Sequence, residues 1–168
     1  MKILDKIVKD KTEEILKLSI SNPISSLENE KLFSRKCISL KESISRSASG
    51  IICEFKRRSP SNNNINNKST ISEVVKGYQK AGAAGLSILT NKKYFDGDIQ
   101  DIIEVRSISE IPILRKEFII SEYQIIEAKS IGADAILLIA SILTSEDILN
   151  YSSLAKSLGL EVLVEVHT

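Results

Sequence analysis

From residue 51 onward, short runs of Ile, Val and Leu recur about every 20 to 35 residues, and segments with helical punctuation lie between them. The runs are Ile51–Phe55, Leu86–Leu89, Ile113–Arg115, Ala135–Ile139 and Glu161–Val166, and their length and branched side chains predict strands. Thr70-Ile71-Ser72-Glu73 is a capping-box pattern opening one helix, with Gly82 near its end. Ser121 opens a second helix closed by Gly132, and Thr144 or Ser145 caps a third, with Gly159 just past its end. Alternation of this kind predicts βα units on a parallel sheet, because a parallel connection needs a crossover long enough to hold a helix.

The first fifty residues stand outside that rhythm. Ile3, Leu4, Ile7, Val8, Ile15 and Leu16 fall at helical spacing, Asn22-Pro23 interrupts, and shorter helical pieces are expected near 25–33 and 39–46. The expected division is a helical N-terminal extension over 1–48 and a βα body over 49–168. One low-complexity stretch, SPSNNNINNKS from Ser59 to Ser69, follows the first strand directly. It reads as a polar surface loop. It leaves the C-terminal end of a parallel strand, where α/β sites form, so it is also a candidate for a mobile active-site loop.

Parallel βα units build either a doubly wound sheet or a (β/α)8 barrel. A Gly-rich phosphate fingerprint after the first strand would favour the former, and EFKRRSPS contains no glycine. Side-chain alternation favours the barrel. In strand one, Ile51, Cys53 and Phe55 share one face while Ile52, Glu54 and Lys56 share the other; in strand five, Val162, Val164 and Val166 oppose Leu163 and Glu165. In both, the ionisable residues come at the C-terminal end, where barrel active sites are built.

Composition narrows the function. With 168 residues, 42% hydrophobic, the chain can bury a core; 23 basic and 22 acidic side chains, mixed along it, argue against a nucleic-acid binder. No apolar run approaches the roughly 18 residues of a membrane helix, and the N-terminus resembles no signal or transit peptide, so a cytoplasmic protein without a membrane partner is expected. Cys37 and Cys53 lack metal-type spacing and read as reduced structural thiols. His167 is the single histidine, which excludes a His-based triad or multi-His zinc site.

The residues that could carry chemistry sit at strand ends: Glu54 and Lys56 on the first, Lys116 just past the third, and Glu165 on the fifth. Each alone could be a solvated strand terminus. Together, two lysines and two carboxylates at one barrel mouth would shift one another's proton affinity and supply paired general acids and bases without a metal. Arg57, Arg58 and Arg115 read as surface charge or as a grip on an anionic substrate.

Five stretches, in order, carry a family resemblance: IICEFKRRSPS, GAAGLSILTNKKYFDGD, IPILRKEFIISEYQI, GADAILLIASIL and LGLEVLVEVH. They resemble indole-3-glycerol-phosphate synthase, a cofactor-free barrel lyase of tryptophan biosynthesis. The resemblance implies a decarboxylating, dehydrating ring closure of a phosphosugar-anthranilate, 1-(2-carboxyphenylamino)-1-deoxyribulose 5-phosphate. It implies that Lys116 is the general acid toward the substrate carbonyl, that Glu165 assists deprotonation and dehydration, and that Lys56, paired with Glu54, contacts substrate. It also implies that Ser59 lies near the substrate carboxylate and that Phe95, Phe118 and Leu137 wall the aromatic ring. Glu117 stands where the family commonly has Asp, and Cys53 where a small residue is usual.

A complete barrel needs about 250 residues and eight strands, and the fifth strand here lies next to Thr168. The expected fold is therefore an α/β (β/α)8 TIM barrel truncated after strand five, lacking the phosphate-gripping loops that the family places later. Free edges at strands one and five predict self-association or binding of a C-terminal half-barrel. An inactive fragment or complementation subunit remains open, as does another phosphosugar barrel enzyme such as a phosphoribosylanthranilate isomerase.

Overall fold

The computed structural model describes residues 3–66 and 68–167. Met1, Lys2 and Thr168 lie outside the described residues, as does Asn67 in the Asn-rich loop. Three helices come first: α1 (Ile3–Ser21), α2 (Ile24–Glu28) and α3 (Leu40–Arg46). The alternating part follows as β1 (Ile52–Phe55), α4 (Ile71–Lys80), β2 (Gly85–Leu89), α5 (Lys92–Phe95), α6 (Ile99–Ile108), β3 (Ile113–Lys116), α7 (Glu122–Ser130), β4 (Ala135–Ile139), α8 (Ser145–Ser157) and β5 (Glu161–Glu165).

The sheet is parallel throughout, in the order β1-β2-β3-β4-β5. Strand order never reverses, so there is no doubly wound switch point. This is the order of successive (β/α)8 barrel units, as the alternation predicts. Within the described sheet, β1 pairs only with β2 and β5 only with β4, so both edges are free.

Local chemistry sets the helix ends. Thr70 and Glu73 form the predicted capping box of α4, and Thr144 with Asp147 does the same for α8. Ser121 caps α7 through the Tyr123 amide, while Gln124 turns inward, accepting from the Ile120 amide and donating to the Phe118 carbonyl. Helix α6, for which the sequence reading named no helix, also opens on a box, from Asp98 and Asp101. An Asp-x-x-Asp box is a weaker signal than Thr-x-x-Glu. The apolar side chains of α6 also lie on more than one face, so its periodicity is faint.

The pleat sorts side chains as alternation predicts. Phe55, Ile88 and Ile113 pack outward against α4 and α6, and Ile136, Leu138 and Val162 against α7 and α8. Inward, Ile52, Leu114, Ala135, Leu137 and Ile139 form a separate cluster that Leu40 and Ile44 of α3 join. Helix α3 is held beneath the strand starts by Ser43 Oγ donating to the Ala84 carbonyl and Ser39 Oγ donating to Glu161. A further tie is Asp134, fully buried just before β4. It accepts from Arg35 (2.6 Å), Arg106 (3.1 Å) and the amides of Ile38 and Ile113 (2.7 and 2.8 Å). One carboxylate thus links the segment before α3, helix α6 and strand β3.

Candidate active site at the strand C-terminal ends

Glu54 and Lys56 share the inward face of β1 because they are two residues apart, and Lys116 ends β3 on the same face. The Glu54 carboxylate takes one lysine on each oxygen: Lys56 Nζ on Oε1 and Lys116 Nζ on Oε2, both at 2.8 Å. Partial burial alone would raise the Glu54 pKa. The hydrogen bonds from Lys116 and Lys56 outweigh that and hold it below the usual carboxylate value. Glu54 is thereby kept ionised, and it fixes where both ammonium groups point.

These residues line a cavity of about 200 Å³ together with Phe95, Phe118, Leu137, Ile139 and Glu165. The rings of Phe95 and Phe118 stand 6.1 Å apart at 35°, a tilted pair that leaves an apolar wall beside the ammonium groups. Glu165 ends β5 across the sheet, and His167 Nε2 lies 3.4 Å from its Oε1. Seven of the eight sequence-derived site residues therefore meet around one cavity: Glu54, Lys56, Lys116, Glu165, Phe95, Phe118 and Leu137. Ser59 stands apart in the turn after β1. Its Oγ accepts from the Asn62 amide, and it does not line that cavity.

The three arginines are neither loose surface charges nor ligands of this cavity. Arg115 is buried on the outward face of β3, donating to Thr90 Oγ1, the Gln124 carbonyl and Glu127. Its position follows from alternation, since Lys116 beside it faces in. Arg57 forms a two-pronged pair with Asp101, and Arg58 donates to the Lys92 and Lys93 carbonyls, so both tie the loop after β1 to α5 and α6. The cysteines are free thiols, as expected.

Sequence reasoning noted Glu117 only as a departure and missed Lys11 altogether. Glu117 lies at the cavity wall between Lys116 and Phe118. It accepts from Lys11 (3.2 Å), Thr90 Oγ1 (3.0 Å), Asn91 Nδ2 (3.1 Å) and the Phe118 amide (2.9 Å). A signal for Lys11 existed: Ile7, Lys11 and Ile15 repeat every four residues on the buried stripe of α1. Helix α1 is also joined to α5 by Asp10, which accepts from Lys93 and Tyr94. Among the described residues no His/Cys/Asp/Glu group could hold a metal ion, and no helix is long and apolar enough to cross a membrane.

Consecutive parallel βα units with ionisable groups gathered at the strand C-terminal ends define a protein of the (β/α)-barrel class. A family model described as indole-3-glycerol phosphate synthase matches residues 4–168. Proteins of that name from Bacteroides thetaiotaomicron and Leptospira interrogans are similar to this chain. The first is 49% identical over 77% of this chain and 50% of its own length, the second 40% identical over 99% and 63%. A third, from Endomicrobium trichonymphae, is 38% identical over 98% of this chain and 65% of itself. The chain belongs to the indole-3-glycerol phosphate synthase family. It spans about half to two thirds of the length of the curated relatives it matches.

Proposed function

We propose that this chain contributes the first five βα units, behind a helical extension over residues 1–48, of an indole-3-glycerol phosphate synthase. The reaction is ring closure of 1-(2-carboxyphenylamino)-1-deoxyribulose 5-phosphate to indole-3-glycerol phosphate, with loss of carbon dioxide and water. The observation that carries this reading is the single carboxylate, Glu54, holding both Lys56 and Lys116 at 2.8 Å beside an aromatic wall.

In this reading Lys116 donates a proton to the substrate carbonyl oxygen as the ring carbon bearing the carboxylate attacks. Loss of carbon dioxide restores the aromatic ring. Glu165 then takes a proton, and Lys56 donates to the departing hydroxyl, which leaves as water. Phe95, Phe118 and Leu137 exclude water from the anthranilate ring, and Ser59 meets its carboxylate once the loop after β1 folds over the substrate. The partners are a small-molecule substrate and, at the edges of β1 and β5, further strands, whether of the same chain, a second copy or a separate chain; no nucleic-acid partner or cofactor is part of this reading. A cytoplasmic setting follows from the substrate. The free edges also favour a second reading, a complementation subunit active only once those strands pair.

Indoleglycerol phosphate fluorescence tests both readings, with the chain assayed alone and with a separately produced C-terminal half of a relative. Turnover abolished by Lys116→Met is expected in whichever sample is active. Turnover undiminished by that substitution would overturn the assignment.

A further inference from the structure

Ser87 lies at the middle of β2 and is only 5% exposed, yet its hydroxyl has no hydrogen-bond partner among the described residues. The other such buried atoms are all arginine Nε atoms: Arg35 and Arg106 already donate to Asp134, and Arg58 to two carbonyls. Ser87 has only the one polar side-chain atom. Its neighbours in register are Glu54 on β1 and Leu114 on β3, so it faces the barrel interior beside Glu54. With Glu54, Leu114, Lys116, Leu137 and the β5 residue Leu163 it lines a second cavity of about 460 Å³.

Parallel neighbours are spaced about 4.8 Å apart, a separation between two oxygens that a single water, about 2.8 Å from each, can bridge. A carboxylate accepts about four hydrogen bonds, and each Glu54 oxygen has accepted one from a lysine. A buried water needs two to four polar partners, and Ser87, Glu54 and Lys116 provide three around one chamber.

We infer that Ser87 is a positioning residue: through one water held in this chamber its hydroxyl hydrogen-bonds Glu54 and gives that carboxylate an anchor independent of the lysines. Given the enzymatic reading above, the anchor keeps Glu54 in place when Lys116 turns from it toward a substrate carbonyl.

The charged groups facing Glu54 are Lys56 from β1, Lys116 from β3, Glu117 just after it, and Glu165 from β5; β2 and β4 present no charge there, only Ser87, Leu89, Leu137 and Ile139. None of these residues is substituted in the Ser87 variants. The test is the titration of Glu54 Cδ, followed by carbon-13 NMR of the glutamate-labelled full chain, in wild type, Ser87→Ala, Ser87→Cys and Ser87→Thr. Removing a donor from a carboxylate disfavours its charged form, so the Glu54 midpoint should rise in Ser87→Ala and Ser87→Cys and stay at the wild-type value in Ser87→Thr. Ser87→Cys leaves no void and replaces the hydroxyl by a weak donor, so it serves if Ser87→Ala fails to fold. An unchanged midpoint in a folded Ala or Cys variant overturns the assignment, as does an equal rise in Ser87→Thr. Glu54 titrates whether or not substrate is turned over. Absent turnover in every sample, with and without the C-terminal half of a relative, would count against the enzymatic reading alone.

Discussion

Lys11 of α1 and Glu117 after β3 form an ion pair at 3.2 Å, with side chains 4% and 1% exposed. Glu117 sits between Lys116 and Phe118, so the pair docks the N-terminal helix directly on the wall of the candidate active site. Its carboxylate is further bonded to Thr90, Asn91 and the Phe118 amide, which offsets the desolvation of a buried charge.

Breaking that pair from one side should be costly. Lys11→Met leaves the Glu117 charge buried without its cation and should destabilise the chain by about 3–5 kcal/mol. Adding Glu117→Gln should recover part of that loss, because the uncompensated charge is gone. Urea unfolding of the three proteins measures this; a Lys11→Met loss under about 1 kcal/mol would mean the pair is not buried in solution.

Asp134 predicts a different signature. Asp134→Ala removes the acceptor for two arginines and two amides at once, and a loss of about 3 kcal/mol or more is expected. Hydrogen exchange should accelerate most at the Ile38 and Ile113 amides, which donate to it. Uniform acceleration along the chain would argue against a local tie.

Glu54 makes stability depend on pH with a definite sign. Its folded-state pKa is depressed below its ordinary value of about 4.5, with burial opposing and the bonds from Lys116 and Lys56 prevailing. The stability it contributes is therefore present above that ordinary value and lost as pH falls through the lower folded value. The stability gap between wild type and Glu54→Gln should be full at pH 7 and should close on acidification below the carboxylate range. Parallel stability curves across that window would refute the depression.

Two glycines should differ. A Cβ on Gly97 would lie 2.2 Å from the Leu89 carbonyl oxygen, a backbone atom that cannot move aside, whereas at Gly85 the closest atom is the Leu40 Cδ1 tip at 2.6 Å. Gly97→Ala should cost about 1–3 kcal/mol by overpacking, and Gly85→Ala less, since Leu40 can change rotamer. Thermal melts rank the two, and a reversed order would show that the turn before α6 yields more readily than the plug under the barrel.

Much of this protein was legible in one dimension. Strand positions and the inward facing of Glu54, Lys56 and Glu165 follow from a period of two residues, and the box at Thr70 and the cap at Thr144 or Ser145 from side chains that reach nearby amides, all local properties of the chain. Lys11 was missed, although Ile7 and Ile15 flank it at helical spacing on one stripe, and nothing local says what a buried lysine meets there. Family motifs brought Phe95, Phe118 and Leu137 to the site, where distances alone would not have chosen them from other apolar residues. The rest is tertiary. That Glu54 takes Lys56 on one oxygen and Lys116, 62 positions away, on the other depends on the register of three strands. That Arg115 is buried against Glu127, Lys11 against Glu117, and Asp134 against two arginines depends on which helix packs over which strand. Pattern determines which face a side chain takes; only packing decides which distant charge it finds there, because burying either charge alone is unfavourable and the partner comes from another part of the chain.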